Sequence, residues 1–488
     1  MRIRNKTGSV VLPAIVLGAV ALAFMTPDER CVAAPALAGV IIVIWLWMTL
    51  WDRDQNIPFF DVGVFCALAT LVYMIYPLVN YWVEGFQFGI LSDSRLASYN
   101  IEPFELGVFH LRHLLYLFFF VVFYLAFRGR GIMATGNVNA PSRSAVRVII
   151  LFFLMLSGYF VILQVMTGVN FNTSYESEAF EKNRIAIANL PVIVMQISSK
   201  LSGILFVFKL AFLFFVVTRC RRKTWLWILL VWIGVEIVQT FILKGARTGL
   251  VLFLIATALL YHRMVKPLTM KFLLTSGTLL FIAFMFLGLY RSYVDVASFQ
   301  EKYSEREGGI LAGGNEFQAL LATAYDVSQR KKSGTDLPWY LHINDIITVL
   351  PPQQLVPFEK VAASEWYLRE LGLSGTGKGL MWGVITQSIV GFDWLELALR
   401  GALLGYILAR IHRWYLKHQT GFMETLVYMF LCLKVYYTFR DTTFYLLANI
   451  VWEIIPFYIL LRLGVAFLSQ SRSSTPALRV GAGASNIG

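Results

Sequence analysis

Long apolar stretches alternate with short polar segments along most of the chain. A helix needs about 20 apolar residues to cross the hydrocarbon core of a membrane, and this length predicts about twelve transmembrane helices here. They are expected near 9–26, 32–51, 62–83, 108–127, 146–166, 191–218, 225–243, 249–261, 272–290, 392–410, 422–438 and 443–464. The pattern therefore predicts an all-α polytopic membrane protein.

These helices divide the chain into four parts. Residues 1–290 carry transmembrane helices 1 to 9, and residues 291–379 form a large loop. Residues 380–465 begin with an apolar stretch, 380–390, that is too short to span and is interpreted as re-entrant, and then carry helices 10 to 12. Residues 466–488 form a tail.

Composition agrees with a lipid environment. The chain is 58% hydrophobic with a mean hydropathy of +0.65, and only 15% of its residues are charged. A soluble protein carries about 25% charged residues. The net charge of +13 lies in short clusters between apolar stretches, where it sets membrane orientation, so we expect no nucleic-acid partner. The four cysteines share no spacing that indicates a disulfide framework or a zinc site.

The basic clusters predict the orientation. Twelve spans and a basic N-terminus in the cytoplasm place four loop clusters on the cytoplasmic side, together with both termini. The clusters are Arg128, Arg130, Arg143 and Arg147; Arg219, Arg221, Arg222 and Lys223; His262, Arg263, Lys266 and Lys271; and Arg410, Arg413 and Lys417. The loop 291–379 then faces the periplasm of a bacterial inner membrane.

The large loop carries two helical patterns. Asn315 is a suitable N-cap, Glu316 follows in the first turn, and apolar positions down to Tyr325 share one face. A second pattern runs from Ile343 to Leu350, where prolines follow. Amphipathic helices of this kind lie on a membrane surface or cover a cavity, so we expect a structured, helical periplasmic loop.

Several charged residues break the positive-inside pattern. Lys244, Arg247, Arg291 and Arg440, followed by Asp441, fall on the outward side of the predicted topology. Charge at membrane depth indicates function, and a guanidinium is suited to bidentate binding of phosphate oxygens.

Two structural interpretations of these charges stay open. Lys244 and Arg247 can extend to lipid headgroups, and Arg440 can pair with Asp441 or with Glu453.

Weak motifs across 160–465 resemble the bacterial O-antigen and exopolysaccharide repeat-unit polymerases. The resemblance rests on the turn 244–249, the loop opening 314–317, the prolines 351, 352 and 357 with 358–360 and Ser364, and the stretch 387–405. It implies the GT-C glycosyltransferase class of fold. It also implies that undecaprenyl-pyrophosphate-linked oligosaccharides are joined into O-antigen, capsular or exopolysaccharide at the periplasmic face.

The resemblance also assigns roles. Arg247, Arg291 and Arg440 are expected to stabilise the departing pyrophosphate, which makes a metal or other cofactor unnecessary. The general base is sought among Glu316, Asp345, Glu359 and His342, and substrate binding among Lys244, Asn315, Lys360 and Asp441. Expected partners are the lipid-linked donor and acceptor, membrane lipids, a flippase and a chain-length regulator.

Two other functions stay open. Ala246 stands where these polymerases commonly have serine, and Gln387 stands where an acidic residue is expected. His342 with Asn344 is similar to the loop histidine of O-antigen ligases, although the glycines expected after it are absent. A transporter or flippase for lipid-linked glycans is the third possibility, but the chain shows no repeat of span lengths between its halves.

The predicted orientation has a direct test. A phosphatase fused at Thr335 should be active and one fused at Lys417 inactive, because the first site is expected in the periplasm and the second in the cytoplasm. The measurement is alkaline phosphatase activity in whole cells. Equal results at both sites would contradict the span assignment from the seventh helix onward.

Overall fold

The computed structural model describes most of the chain. The described residues are 4–54, 59–84, 87–88, 99–129, 131, 138–168, 186, 189–220, 222–241, 247–269, 271–272, 275–279, 316–349, 357, 361–372 and 381–473. They are almost entirely helical. The exception is one antiparallel pair of two-residue strands, β1 (Gln87–Phe88) and β2 (Tyr99–Asn100), in which Gln87 pairs with Asn100.

The helices follow the apolar stretches of the sequence. They are α1 (Arg4–Ala23), α2 (Pro27–Asp54), α3 (Val62–Glu84), α4 (Pro103–Phe127), α5 (Arg143–Thr167), α6 (Val192–Arg219), α7 (Arg222–Phe241), α8 (Arg247–Met264), α9 (Glu316–Lys332), α10 (Asn344–Val349), α11 (Ala363–Glu370), α12 (Gly383–Val390), α13 (Trp394–His418), α14 (Phe422–Lys434), α15 (Tyr437–Arg440), α16 (Tyr445–Asn449) and α17 (Ile455–Ser473). A 3₁₀ turn, Trp339–Ile343, precedes α10, and a π-helical turn, Ile450–Ile454, joins α16 to α17.

Five described helical segments are long and apolar enough to cross a membrane: Pro27–Asp54, Pro103–Phe127, Arg143–Thr167, Ile193–Arg219 and Tyr445–Leu468. Shorter apolar helices occupy Val62–Leu78, Lys223–Val235 and Gly249–Met264. The chain is therefore consistent with a helical membrane protein. Helices lie at eleven of the twelve predicted positions, and most of the remaining one, 272–290, lies outside the described residues. The number of twelve crossings and the GT-C class stay predictions.

Glycines allow α13 to pack directly on α4. A Cβ atom at Gly401 would lie 2.5 Å from the carbonyl oxygen of Tyr116, and one at Gly405 would lie 2.4 Å from that of Phe120. Any larger residue would push the helices apart, which explains the Gly-x-x-x-Gly spacing by helix packing. The two contacts advance in the same direction along both helices, so α4 and α13 are parallel and begin at the same end of the bundle.

The described helices between residues 316 and 391, α9 to α12, lie at that end of the bundle, and we call them the cap. Lys332 lies 3.4 Å from Glu105, near the start of α4. The Nζ of Lys331 donates to the carbonyl oxygens of Ile389 and Gly391 at 2.5 and 3.1 Å, and so caps the C-terminal end of α12. Helices at both predicted positions in this segment are confirmed as α9 and α10.

A buried ionic network fastens the opposite end of the bundle. Arg128, which follows α4, donates to Asp61 at 2.9 Å and to Asp54 at 3.2 Å. The Tyr124 hydroxyl donates to Asp61 at 2.6 Å. Burial alone would raise the pKa of Asp61, but His412 and Arg128 outweigh it, and the pKa lies below its usual value. The network joins α2, α3, α4 and α13.

Replacing Arg128 by methionine should lower the free energy of unfolding by about 3–5 kcal/mol, because two buried carboxylates lose their shared cation. Thermal unfolding of the full-length protein in detergent measures the change. Arg413→Met is the matched control, since Arg413 is exposed on the same end of α13. Equal melting temperatures for the two variants would show that the network contributes nothing.

Candidate functional site

Arg400 joins the cap to the transmembrane bundle. It lies in the second turn of α13 and donates to Glu396 at 2.7 Å, to Asp345 at 2.6 Å and to the Thr443 hydroxyl at 3.2 Å. Asp345 occupies the first turn of α10, where a carboxylate is favoured by the helix dipole. Its second oxygen accepts from the backbone N–H of Phe444 at 3.4 Å. Three separate segments of the chain therefore meet at this buried ion pair.

The turn that carries Arg440 lies beneath the first residue of α12. Arg440 ends α15 and Asp441 follows it, and both are half-buried. A Cβ at Gly383 would lie 3.8 Å from the Arg440 carbonyl oxygen, and Gly383 has a φ of +72° that favours glycine. The Arg440 guanidinium lies 5.7 Å from the centroid of the Tyr437 ring. The cap thus covers one of the arginines singled out in the sequence.

Lys434 faces the same tyrosine from the bundle side. Its ammonium lies 5.4 Å from the Tyr437 ring, 5.0 Å from Phe206 and 5.8 Å from Phe430. The Lys434 ammonium also lies 3.3 Å from the carboxylate oxygen Oε1 of Glu453. An aromatic surround of this kind stabilises a cation at a depth where water is scarce.

Glu453 lies within the π-helical turn of the last long helix. Its oxygen Oε2 is buried and accepts no hydrogen bond from the described residues. Insertions of this kind into α-helices are frequent at functional sites. Trp452, one residue earlier, donates to the carbonyl oxygen of Val349 at 3.3 Å, and Lys200 of α6 lies 5.1 Å over the Trp452 ring. The turn therefore links the end of α10 to two cations.

A further ion pair lies where the cap returns to the bundle. Arg112 of α4 donates twice to Asp393, with both distances 3.0 Å, and its guanidinium lies 5.1 Å from the Phe109 ring and 4.8 Å from the Trp394 ring. Asp393 has a φ of +51°, which is strained for a residue other than glycine. The bidentate pair stabilises this backbone at the start of α13.

The structure brings some of the predicted site residues together. Asp345, Arg440 and Asp441 all lie where the cap meets the bundle, whereas His342 is exposed in the 3₁₀ turn before α10. Arg247 and Glu316 are the first residues of α8 and α9, and their side chains lie outside the described part of the chain. The other predicted residues, Arg291, Glu359, Lys244, Asn315 and Lys360, also lie outside it.

Four charged residues of this region were not among the predicted site residues: Arg400, Lys434, Glu453 as a partner of Lys434, and Lys200. Each is a charge within a predicted apolar span, and a charge at that depth is the signal that indicates them. Gln387, where an acidic residue was expected, is buried in α12. It accepts from the Trp382 indole at 2.9 Å and donates to the carbonyl oxygen of Leu341 at 2.7 Å, so its role is to hold the cap together.

We call Arg400, Arg440, Lys434 and Lys200 the cation cluster. Within the described residues these side chains come from α13, α15, α14 and α6 and lie towards the capped end of the bundle. Arg400, Lys434 and Arg440 are partly buried, whereas Lys200 is exposed. Partly buried cations attract a polyanion more strongly than exposed ones, because the surrounding dielectric is low. No group of three His, Cys, Asp or Glu side chains in the described part of the chain is placed to hold a metal ion. Guanidinium and ammonium groups of this kind can bind phosphate oxygens.

Comparisons of the chain with protein families, with curated proteins and with solved structures found no match.

Asp345→Asn should loosen the contact between cap and bundle, because the buried Arg400 keeps its charge but loses a charged partner. Hydrogen–deuterium exchange of the α10 amides should rise in this variant. Glu365→Gln is the control within the cap, since Glu365 forms an exposed pair with Arg369 that contributes less than about 1 kcal/mol. Exchange in α10 that is equal in the two variants would show that this ion pair does not hold the cap.

Proposed function

We propose that the protein is a polymerase that joins undecaprenyl-pyrophosphate-linked oligosaccharide repeat units at the periplasmic face of a bacterial inner membrane. The observation that supports this most is the cation cluster beneath an ordered cap. A donor and an acceptor that both end in lipid pyrophosphate need cations at membrane depth and a cover that keeps water from the reacting sugar. The resemblance of the sequence to repeat-unit polymerases agrees with this chemistry.

The reaction exchanges one bond at the sugar for another. The anomeric carbon of the growing chain leaves its pyrophosphate oxygen and bonds to a hydroxyl oxygen of the incoming unit. The hydroxyl proton passes to a base, and the lipid pyrophosphate departs with the electron pair of the broken bond. Arg440 and Lys434, together with Arg247 and Arg291 from the sequence analysis, are assigned to the departing pyrophosphate.

Glu453 joins the candidates for the base. Asp345 is engaged by Arg400 and Phe444, and Glu396 by Arg400 and the Phe392 N–H. By contrast, the Oε2 of Glu453 accepts nothing from the described residues. A carboxylate oxygen beside the cation cluster that keeps its acceptor capacity is suited to taking a proton. Glu316, Glu359 and His342 stay candidates from the sequence.

Arg440→Ala should reduce polymer formation by about 100-fold, which is the effect of removing one donor to a developing anion. Glu453→Gln should have a comparable effect, since the amide cannot take the proton.

Arg247→Ala should also abolish polymer, and Arg247→Lys should not restore full activity if a planar contact is needed. Polymer length and amount are measured by gel electrophoresis of surface glycans from a complemented deletion strain.

Arg462→Ala is the matched control, because Arg462 is exposed on α17 and donates to the hydroxyl of Tyr458 on the same helix. All variants are compared at equal membrane levels.

Labelling from the periplasmic side then separates the alternatives. A polymerase variant accumulates single lipid-linked repeats on the outer leaflet. Repeats that stay on the cytoplasmic side would identify a flippase, and polymer that forms but stays on its lipid would identify a ligase.

A further inference from the structure

A second cationic site lies at the opposite end of the bundle, between the start of α5 and the end of α6. An open cavity of about 270 Å³ is lined by Arg143, Arg147 and Arg219 together with Pro141, Val146 and Phe215. All three arginines are exposed. One guanidinium nitrogen of Arg219 donates to the carbonyl oxygen of Pro141 at 3.4 Å, which holds this side chain at the cavity. Half of the lining is therefore cationic and half is apolar.

The charges of this cavity are unfavourable when it is empty. Arg143 and Arg147 lie one turn apart on α5, where like charges repel, and no acidic residue stands in the first turn of the helix. The helix dipole adds positive potential at the same end. None of the described residues that line the cavity carries a carboxylate. The positive-inside pattern explains arginines near this membrane face, but it does not explain why arginines of two helices surround one concavity. An anion in the cavity removes the repulsion.

The surroundings indicate that the anion belongs to a lipid. The spans Arg143–Thr167 and Ile193–Arg219 end at these arginines, which places the cavity at headgroup depth. Leu151 and Met155 continue the helical face of Arg143 and Arg147 at intervals of four residues. They are 51% and 58% exposed, and Leu154 beside them is 61% exposed. A phosphate at the arginines therefore continues directly onto an uncovered apolar stripe.

We propose that this cavity binds the phosphodiester of an anionic phospholipid, with the acyl chains lying along the exposed stripe of α5. The cavity is slightly below the usual size range for sites that enclose a whole drug-sized ligand, as expected for a site that takes only the headgroup. The site is separate from the cation cluster and does not depend on the proposed glycosyl transfer. Its occupant anchors α5 to α6 on the side that the sequence predicts to be cytoplasmic.

The test uses the full-length protein in detergent with phosphatidylglycerol as the probe. Native mass spectrometry and thermal unfolding should show retained phosphatidylglycerol and a higher melting temperature, with little effect of phosphatidylethanolamine. In the triple variant R143Q/R147Q/R219Q, binding should weaken on the order of 100-fold, since each basic residue near an anionic lipid contributes roughly a factor of five. R143K/R147K/R219K keeps the charge and should retain most of the binding.

The control variant is R410Q/R413Q/K417Q, which removes the same charge from exposed positions near the C-terminal end of α13. It should bind phosphatidylglycerol like the unchanged protein. The proposal is overturned if the R143Q/R147Q/R219Q variant binds phosphatidylglycerol as strongly as the unchanged protein does. It is also overturned if the control variant loses as much binding as the R143Q/R147Q/R219Q variant. Stabilisation by inorganic phosphate to the same extent as by the lipid would also overturn it, because the acyl chains would then contribute nothing.

Discussion

The close parallel packing of α4 on α13 positions the charged groups that these two helices carry at both ends of the bundle. Gly401 and Gly405 bring the two backbones into contact, and no side chain can be added there without separating the helices. At one end this packing places Arg112 beside Asp393 and presents Arg400 to the cap. At the other end it places Arg128 and His412 around Asp61. α2 packs against α4, and α3 packs against both helices of this pair.

The two ends use buried charge differently. At the end opposite the cap, the Arg128 guanidinium is saturated by Asp54 and Asp61, and such a network holds helices in register. At the capped end the compensation of Glu453 is less complete, because one of its oxygens lies beside Lys434 and the second stays without a described hydrogen-bond partner. Incomplete compensation of buried charge is costly, and it is tolerated where a substrate completes it. This difference favours the capped end as the site of chemistry.

Hydropathy predicts most of the helices because the apolar content of a span is a local property. The glycine spacing at 401 and 405 likewise predicts helix packing, since it needs only one helix face. The partners of single charges could not be predicted in the same way. The sequence left Glu453 as a possible partner of Arg440, whereas the structure pairs it with Lys434, nineteen positions earlier. Arg400 and Asp345 are separated by 55 positions, and only tertiary packing brings them together.

The cap and the cation cluster are connected at two points, and this restricts how the site can work. Asp345 at the start of α10 is bonded to Arg400 and to the backbone of Phe444, and Val349 at its end accepts from Trp452. A displacement of α10 therefore pulls on the residues before α16 and on the turn that carries Glu453. Any such displacement would therefore also change the surroundings of Glu453 and of its partner Lys434. One six-residue helix thus links the cap to the charged groups of the bundle at both of its ends.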